Sequence, residues 1–144
     1  MHGLGRERGC LGDDQIAWLK DDVAPLGAST PIVVYAHFPL WAMYPEWGWG
    51  TADALTALSL LHRFGSVTVL NGHIHQVQQA IEGNVTFHTA RATAYPQPGP
   101  GYGAGPGALV LPTDQLRGAI GFTTVRRVED GDRLAIVDRT LATA

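Results

Sequence analysis

Three of the chain's six histidines fall in two short stretches that each follow a run of apolar residues: His37 in PIVVYAHFPLW, and His73 and His75 in VTVLNGHIHQ. Neutral imidazole is the commonest ligand for Zn²⁺ and related ions. Two histidines two residues apart can address two ions only about 3.5–4 Å apart, the spacing of dinuclear hydrolytic centres. Alone, His-x-His is a weak signal, expected by chance in roughly one such chain in four or five. Context strengthens it, because both stretches place histidines where a strand opens into a loop.

The elements that must position them follow from periodicity. DDQIAWLKDDVAPL spaces Ile16, Leu19 and Val23 at helical intervals, with Asp13 as the expected N-cap and Pro25 as the stop. PIVVYA and SVTVL are short β-branched runs without polar alternation, the pattern of strands buried on both faces. Between them, FPLWAMYPEWGWG is a loop rich in aromatics, and ADALTALSLLHRF is a helix for which Thr51 is the expected N-cap, with Asp53 near its positive end and Gly65 beyond it. A glycine before His73 suits a tight exit turn.

After His75 the pattern becomes antiparallel. QVQQAIEGNVTFHTA reads as two strands turning at Glu82, Gly83 and Asn84, and GAIGFTTVRRVEDGDRLAIVDRTL as a second hairpin turning at Asp130 and Gly131. Residues 96 to 107, PQPGPGYGAGPG, hold too much Pro and Gly for a helix or a central strand; they form a loop, read as a spacer more than a cover. The expectation is one α/β domain with a mixed sheet, its ligands gathering at the carboxyl ends of strands.

Composition bounds the partners. With 144 residues, 45% hydrophobic and 16% charged, the chain has the make-up of a globular domain. A net charge of −3 with scattered basic residues offers no nucleic-acid surface. The longest apolar run, ALTALSLL, is far short of the ~20 residues of a membrane span, and MHGLGRERG is not followed by the apolar core of a signal peptide. Cys10, the single cysteine, has no internal disulfide partner.

VVYAHFPLW followed by VTVLNGHIHQ, with LGDDQIAWLKDDV ahead of them, closely resembles the C-terminal half of calcineurin-like metallophosphoesterases. The resemblance covers roughly residues 9 to 95. It implies a four-layer α/β/β/α sandwich with mixed sheets, of which residues 1 to 144 are the C-terminal portion and the N-terminal half is missing. It implies that His37 and His73 ligate one metal and His75 the other, in a centre of two divalent or trivalent ions (Mn, Fe or Zn) that hydrolyses phosphate esters.

The family's Asp-x-His, Gly-Asp and Gly-Asn-His-Asp/Glu motifs are not found, so no catalytic residue is named, and this chain alone is expected to hold one ion or none. EDGD at 129 to 132 and EGNV at 82 to 85 read as turns. The expected partners are a phosphate-ester substrate and either the missing half or a second copy, because the remaining sheet would otherwise expose an apolar face. The alternative is a non-catalytic metal-binding or interaction fragment.

The remaining candidates have plainer readings. Trp41, Tyr44, Trp47 and Trp49 wall a pocket or pack their own loop; His88 hydrogen-bonds within the structure; His62 sits late in a helix, and His2 at the terminus; Asn71 orients a ligand loop or, more frugally, is a turn residue before Gly72.

Overall fold

A computed structural model describes residues 8–128 and 133–142. The chain divides into two compact units: residues up to His73 with Gln79–His88, and Ile74–Gln78 with the residues from Thr89 onward. The architecture is α/β, with a four-stranded mixed sheet and a separate two-stranded sheet.

The first unit opens with α1 (Gly12–Val23), then β1 (Ile32–Ala36), a 3₁₀ turn at Pro45–Trp47, α2 (Ala54–Leu61) and β2 (Val67–Asn71). The hairpin strands β3 (Gln78–Glu82) and β4 (Val85–Thr89) complete the sheet, in the order β1-β2-β4-β3. β1 and β2 run parallel, Ile32 opposite Val67 and Ala36 opposite Asn71, so both strands end at the same level. Gly83 makes the hairpin turn at φ 59°, in the left-handed region that suits glycine.

Leu58 and Leu61 of α2, Val67 and Val69 of β2, and Val85 and Phe87 of β4 form the core with Val23, Leu40, Ala54 and Phe64. From β1 only Ile32, Val34 and Ala36 pack against it. The other face of β1 is open: Val33 is 39% and Tyr35 76% exposed, which corrects the expectation of a strand buried on both sides. The cause is position, since β1 is an edge of the sheet.

Both helix starts also differ from expectation. The first-turn amides of α1 are taken not by Asp13 but by Asp53, whose Oδ1 accepts from Leu11 N–H at 2.9 Å and Oδ2 from Gly12 N–H at 2.8 Å. Asp53, not Thr51, occupies the N-cap position of α2, and the Thr51 hydroxyl instead donates to the Pro39 carbonyl. At the other end of α1, Arg63 donates to the carbonyls of Leu26 and Val23. Residues just outside α2 thus put a negative charge on the start of α1 and a positive charge beyond its end, both matching the helix dipole. Asn84, in the β3–β4 turn, finishes α2 in the same way by donating to the carbonyls of Leu61 and Phe64.

In the second unit, β5 (Gly121–Arg127) and β6 (Leu134–Thr140) pair antiparallel, Gly121 opposite Thr140 and Arg127 opposite Leu134. The hairpin matches expectation; its turn at Asp130 and Gly131 lies outside the described residues, as do the EDGD segment and His2. A Cβ at Gly121 would lie 1.9 Å from the Arg139 carbonyl oxygen, so no larger residue fits that register. Residues 96 to 107 form neither helix nor strand, and Gln76 holds the start of this loop by donating to the carbonyls of Gln97 and Pro98. The short α3 (Thr113–Ala119), which periodicity does not reveal, follows. Among the described residues no helix is long and apolar enough to cross a membrane.

The amide bonds from Leu11 and then Gly12 hold the Asp53 carboxyl at a pKa of about 2, below its ordinary 3.8. A depressed carboxyl adds stability that is present above the unfolded pKa and is lost as pH falls through the folded one. Asp53→Ala is expected to cost about 1 kcal/mol, as for a lost helix cap. In urea titrations at successive pH values, the gap between wild type and D53A should hold above about pH 4 and narrow toward pH 2.

Candidate functional site

The site is built where β1 and β2 end together. Side-chain amide Nδ2 of Asn71, the last residue of β2, donates to the carbonyls of Ala36 at 2.8 Å and Phe38 at 3.1 Å. The Gly72 N–H donates to the intervening His37 carbonyl at 3.1 Å. Three successive carbonyls around His37 are therefore tied to two successive residues of the β2 exit. Of the two roles the sequence leaves to Asn71, orienting a ligand loop and making a turn, the bonds match the first; its side chain is buried at the end of an apolar strand.

This clamp brings the first two predicted ligands together. The His37 and His73 rings have centroids 5.5 Å apart at 78°. Phe38 lies against both, 5.6 Å from His37 edge-on and 4.0 Å from His73. Behind Phe38 stands Gly9, where a Cβ would fall 2.4 Å from the Phe38 Cγ, so only glycine permits that packing. Gly9 is itself fixed by N–H donation to the Gly50 carbonyl at 3.1 Å.

The exit turn carries its unusual backbone on the histidines and not on Gly72: His73 has φ 65° and His75 φ 57°. Non-glycine residues in the left-handed region are uncommon, and surrounding structure must hold them there. Ile74 between them is fully buried.

His75 belongs to the second unit. Its Nδ1 lies 2.8 Å from the Tyr95 carbonyl oxygen and its ring packs on Tyr95 at 4.6 Å. A carbonyl can only accept, so Nδ1 carries the proton; in the neutral ring this leaves the Nε2 lone pair for a ligand. Ligating histidines are commonly oriented by this kind of bond. His88, as expected, is internal, with Nδ1 2.9 Å from Gln79 Nε2.

Two imidazoles bound to one ion at about 2.1 Å place their ring centres roughly 5–5.5 Å apart at tetrahedral or wider angles, and the His37–His73 spacing of 5.5 Å fits this. The buried Oδ1 of Asn71 has no hydrogen-bond partner among the described residues, leaving an unused acceptor in the same turn. A full ligand set is a different matter. Among the described residues no group of three or more His, Cys, Asp and Glu side chains is placed to hold a metal ion. Among the described residues the only observation in line with a metal ion is therefore the spacing of these two imidazoles.

Beside His37 a cavity of about 250 Å³ opens in the first unit. Leu11, Gln15 and Cys10 line one part of it, Tyr35, His37 and Phe38 another. The Cys10 thiol donates to Asp53 Oδ2 at 3.2 Å, and that bond pushes its pKa up, keeping it a thiol and not a nucleophilic thiolate. None of the four clustered aromatics lines this cavity: Trp47 and Trp49 are buried 5.2 Å from each other, and Trp41 packs on Phe87 at 5.0 Å.

No family model matches the chain, and no curated protein matches it in sequence.

Asn71→Ala would leave the carbonyls of Ala36 and Phe38 without their side-chain donor. The expected cost is about 1–3 kcal/mol, together with a shift of the His37 Cε1–H resonance in proton–carbon NMR spectra. A destabilised protein with an unmoved His37 signal would show that the clamp does not position the ring.

Proposed function

We propose that the chain carries the histidine half of a dinuclear metal centre that hydrolyses phosphate esters, with His37 and His73 on one ion and His75 on the other. The observation that carries the reading is the pairing of His37 and His73, 5.5 Å apart, at the level ends of two parallel strands. The resemblance of the two histidine stretches to calcineurin-like phosphoesterases supplies the reaction class, and the four-layer sandwich belongs to the same proposal.

Divalent or trivalent ions of the Mn, Fe or Zn type, when bound, would neutralise phosphoryl oxygens and acidify an attacking water. The chain's own residues do the positioning. Asn71 and Gly72 fix the loop that presents His37, Phe38 supports both rings of the pair, and the Tyr95 carbonyl holds the His75 tautomer with Nε2 free for a ligand. Two closely spaced cations also need carboxylates to offset their repulsion. These belong to the other half of the centre, contributed by a segment or partner beyond the described residues. No residue here is assigned as a catalytic acid or base.

A second reading is a non-catalytic metal-binding or interaction fragment, in line with the lack of a third grouped ligand among the described residues. Its metal-binding form shares the histidine ligands with the first reading; the two part on whether added carboxylate ligands produce turnover.

The test is metal content by plasma mass spectrometry after reconstitution with Zn²⁺ or Mn²⁺ and removal of excess ion. About one ion per wild-type chain is expected, falling at least tenfold in H37A and in H73A. Retention unchanged in both variants would refute the assignment.

A further inference from the structure

The cavity beside His37 differs from an anion pocket in its chemistry. Among the described residues no lysine or arginine lines it, and its Cys10 wall is hydrogen-bonded to a carboxylate, Asp53, that stays ionised down to about pH 2. A pyrophosphate or polyphosphate tail filling its far end, away from His37, would find no lysine or arginine among the described lining residues to pair with. Besides His37, the residues that line it are uncharged: the aromatics Tyr35 and Phe38, Leu11 and Ala36, and the polar Gln15, Thr51 and Cys10.

A primary amide presents donors and an acceptor together, so Gln15 can pair with a ligand edge that carries both. Aromatic walls favour a planar ring over a bulky saturated one. The volume, about 250 Å³, lies just below the ~300–1,000 Å³ of drug-sized pockets and suits one ring or a compact fused pair. His37 is shared: it lines the cavity and it pairs with His73.

We propose that this cavity receives the organic group of the phosphate ester, and that the group is an uncharged planar ring with a hydrogen-bonding edge, held by Gln15 and Tyr35. The inference rests on the phosphoesterase reading of the histidines and deepens it. The phosphoryl end would lie toward the histidine pair and the ring toward α1. Esters of neutral ring alcohols or ring-bearing sugars are then the substrate class, in preference to pyrophosphates.

Ring binding can be measured separately from metal binding. Benzamide is the probe, cyclohexanecarboxamide the non-planar control with the same amide edge, and inorganic pyrophosphate the competitor, all followed by saturation-transfer NMR on the full chain. Gln15 and Tyr35 are exposed side chains, so Gln15→Ala and Tyr35→Ala should fold, which circular dichroism checks. Benzamide is expected to bind the metal-free chain, at least threefold more weakly in Q15A and in Y35A. The saturated control should bind at least threefold more weakly than benzamide, and pyrophosphate should not displace the ring.

Absence of saturable benzamide binding, binding indifferent to both variants, or displacement by pyrophosphate would overturn the assignment. A parallel titration with Co²⁺, read by its visible absorption in wild type and H37A, reports on the metal centre itself. Ring binding with no cobalt binding would sink the phosphoesterase reading, and the ester role with it, while leaving a ring-binding cavity. Cobalt binding without ring binding would sink the cavity proposal alone.

Discussion

Everything proposed for this chain depends on a small set of hydrogen bonds at the ends of two parallel strands. A parallel pair brings its carboxyl ends to one level, but the loops beyond are free to diverge. Here they are not free: Asn71 spans the carbonyls on either side of His37, and Gly72 takes the one between. The gain over a simple turn is order in a segment that would otherwise sample many conformations, each fixed residue costing on the order of 1–2 kcal/mol of backbone entropy. That order is what allows His37, at the exit of one strand, to stand at a defined distance from His73, at the exit of the next.

A second layer of support comes from the helices. α1 is held at both ends by residues bordering α2, Asp53 at its start and Arg63 at its end. Because Leu11 and Cys10 line the cavity beside His37, the Asp53 bonds to Leu11, Gly12 and Cys10 also fix one wall of that cavity. Gly9 contributes by having no side chain, since its bare backbone lets Phe38 sit where it touches both imidazoles. The packing around the histidine pair is thus assembled from four places in the sequence: Gly9, Phe38, Asp53 and Asn71.

The strands, the helices and the hairpin at Gly83 were legible because each has a local cause: helical spacing, β-branched runs, turn composition. The two caps were misassigned because capping was judged by nearness in sequence. Asp13 is adjacent to the start of α1, but Asp53 reaches it across the fold, and no local pattern encodes such a contact. β1 was misread because an apolar run reports hydrophobicity and not which strand ends up at the edge; Tyr35, amphipathic and 76% exposed, is the residue that tells the two apart. At the site, the histidines were visible as residue types after strands. The clamp was not, since an asparagine before a glycine is also what an ordinary turn contains.

The same interactions explain why the acid nearest to the cavity walls does not complete a metal centre. Asp53 accepts two backbone N–H bonds and one thiol bond, which stabilise its charge and hold its pKa at about 2. To bridge two ions through both oxygens it would have to give up the Gly12 or the Cys10 bond to Oδ2, leaving a donor of that wall unpaired. With Asp53 committed to the fold, the negative charge that the proposed pair of cations would require has to come from outside this constellation. On the proposed reading, the first unit contributes the imidazoles of His37 and His73, and the carboxylates come from elsewhere.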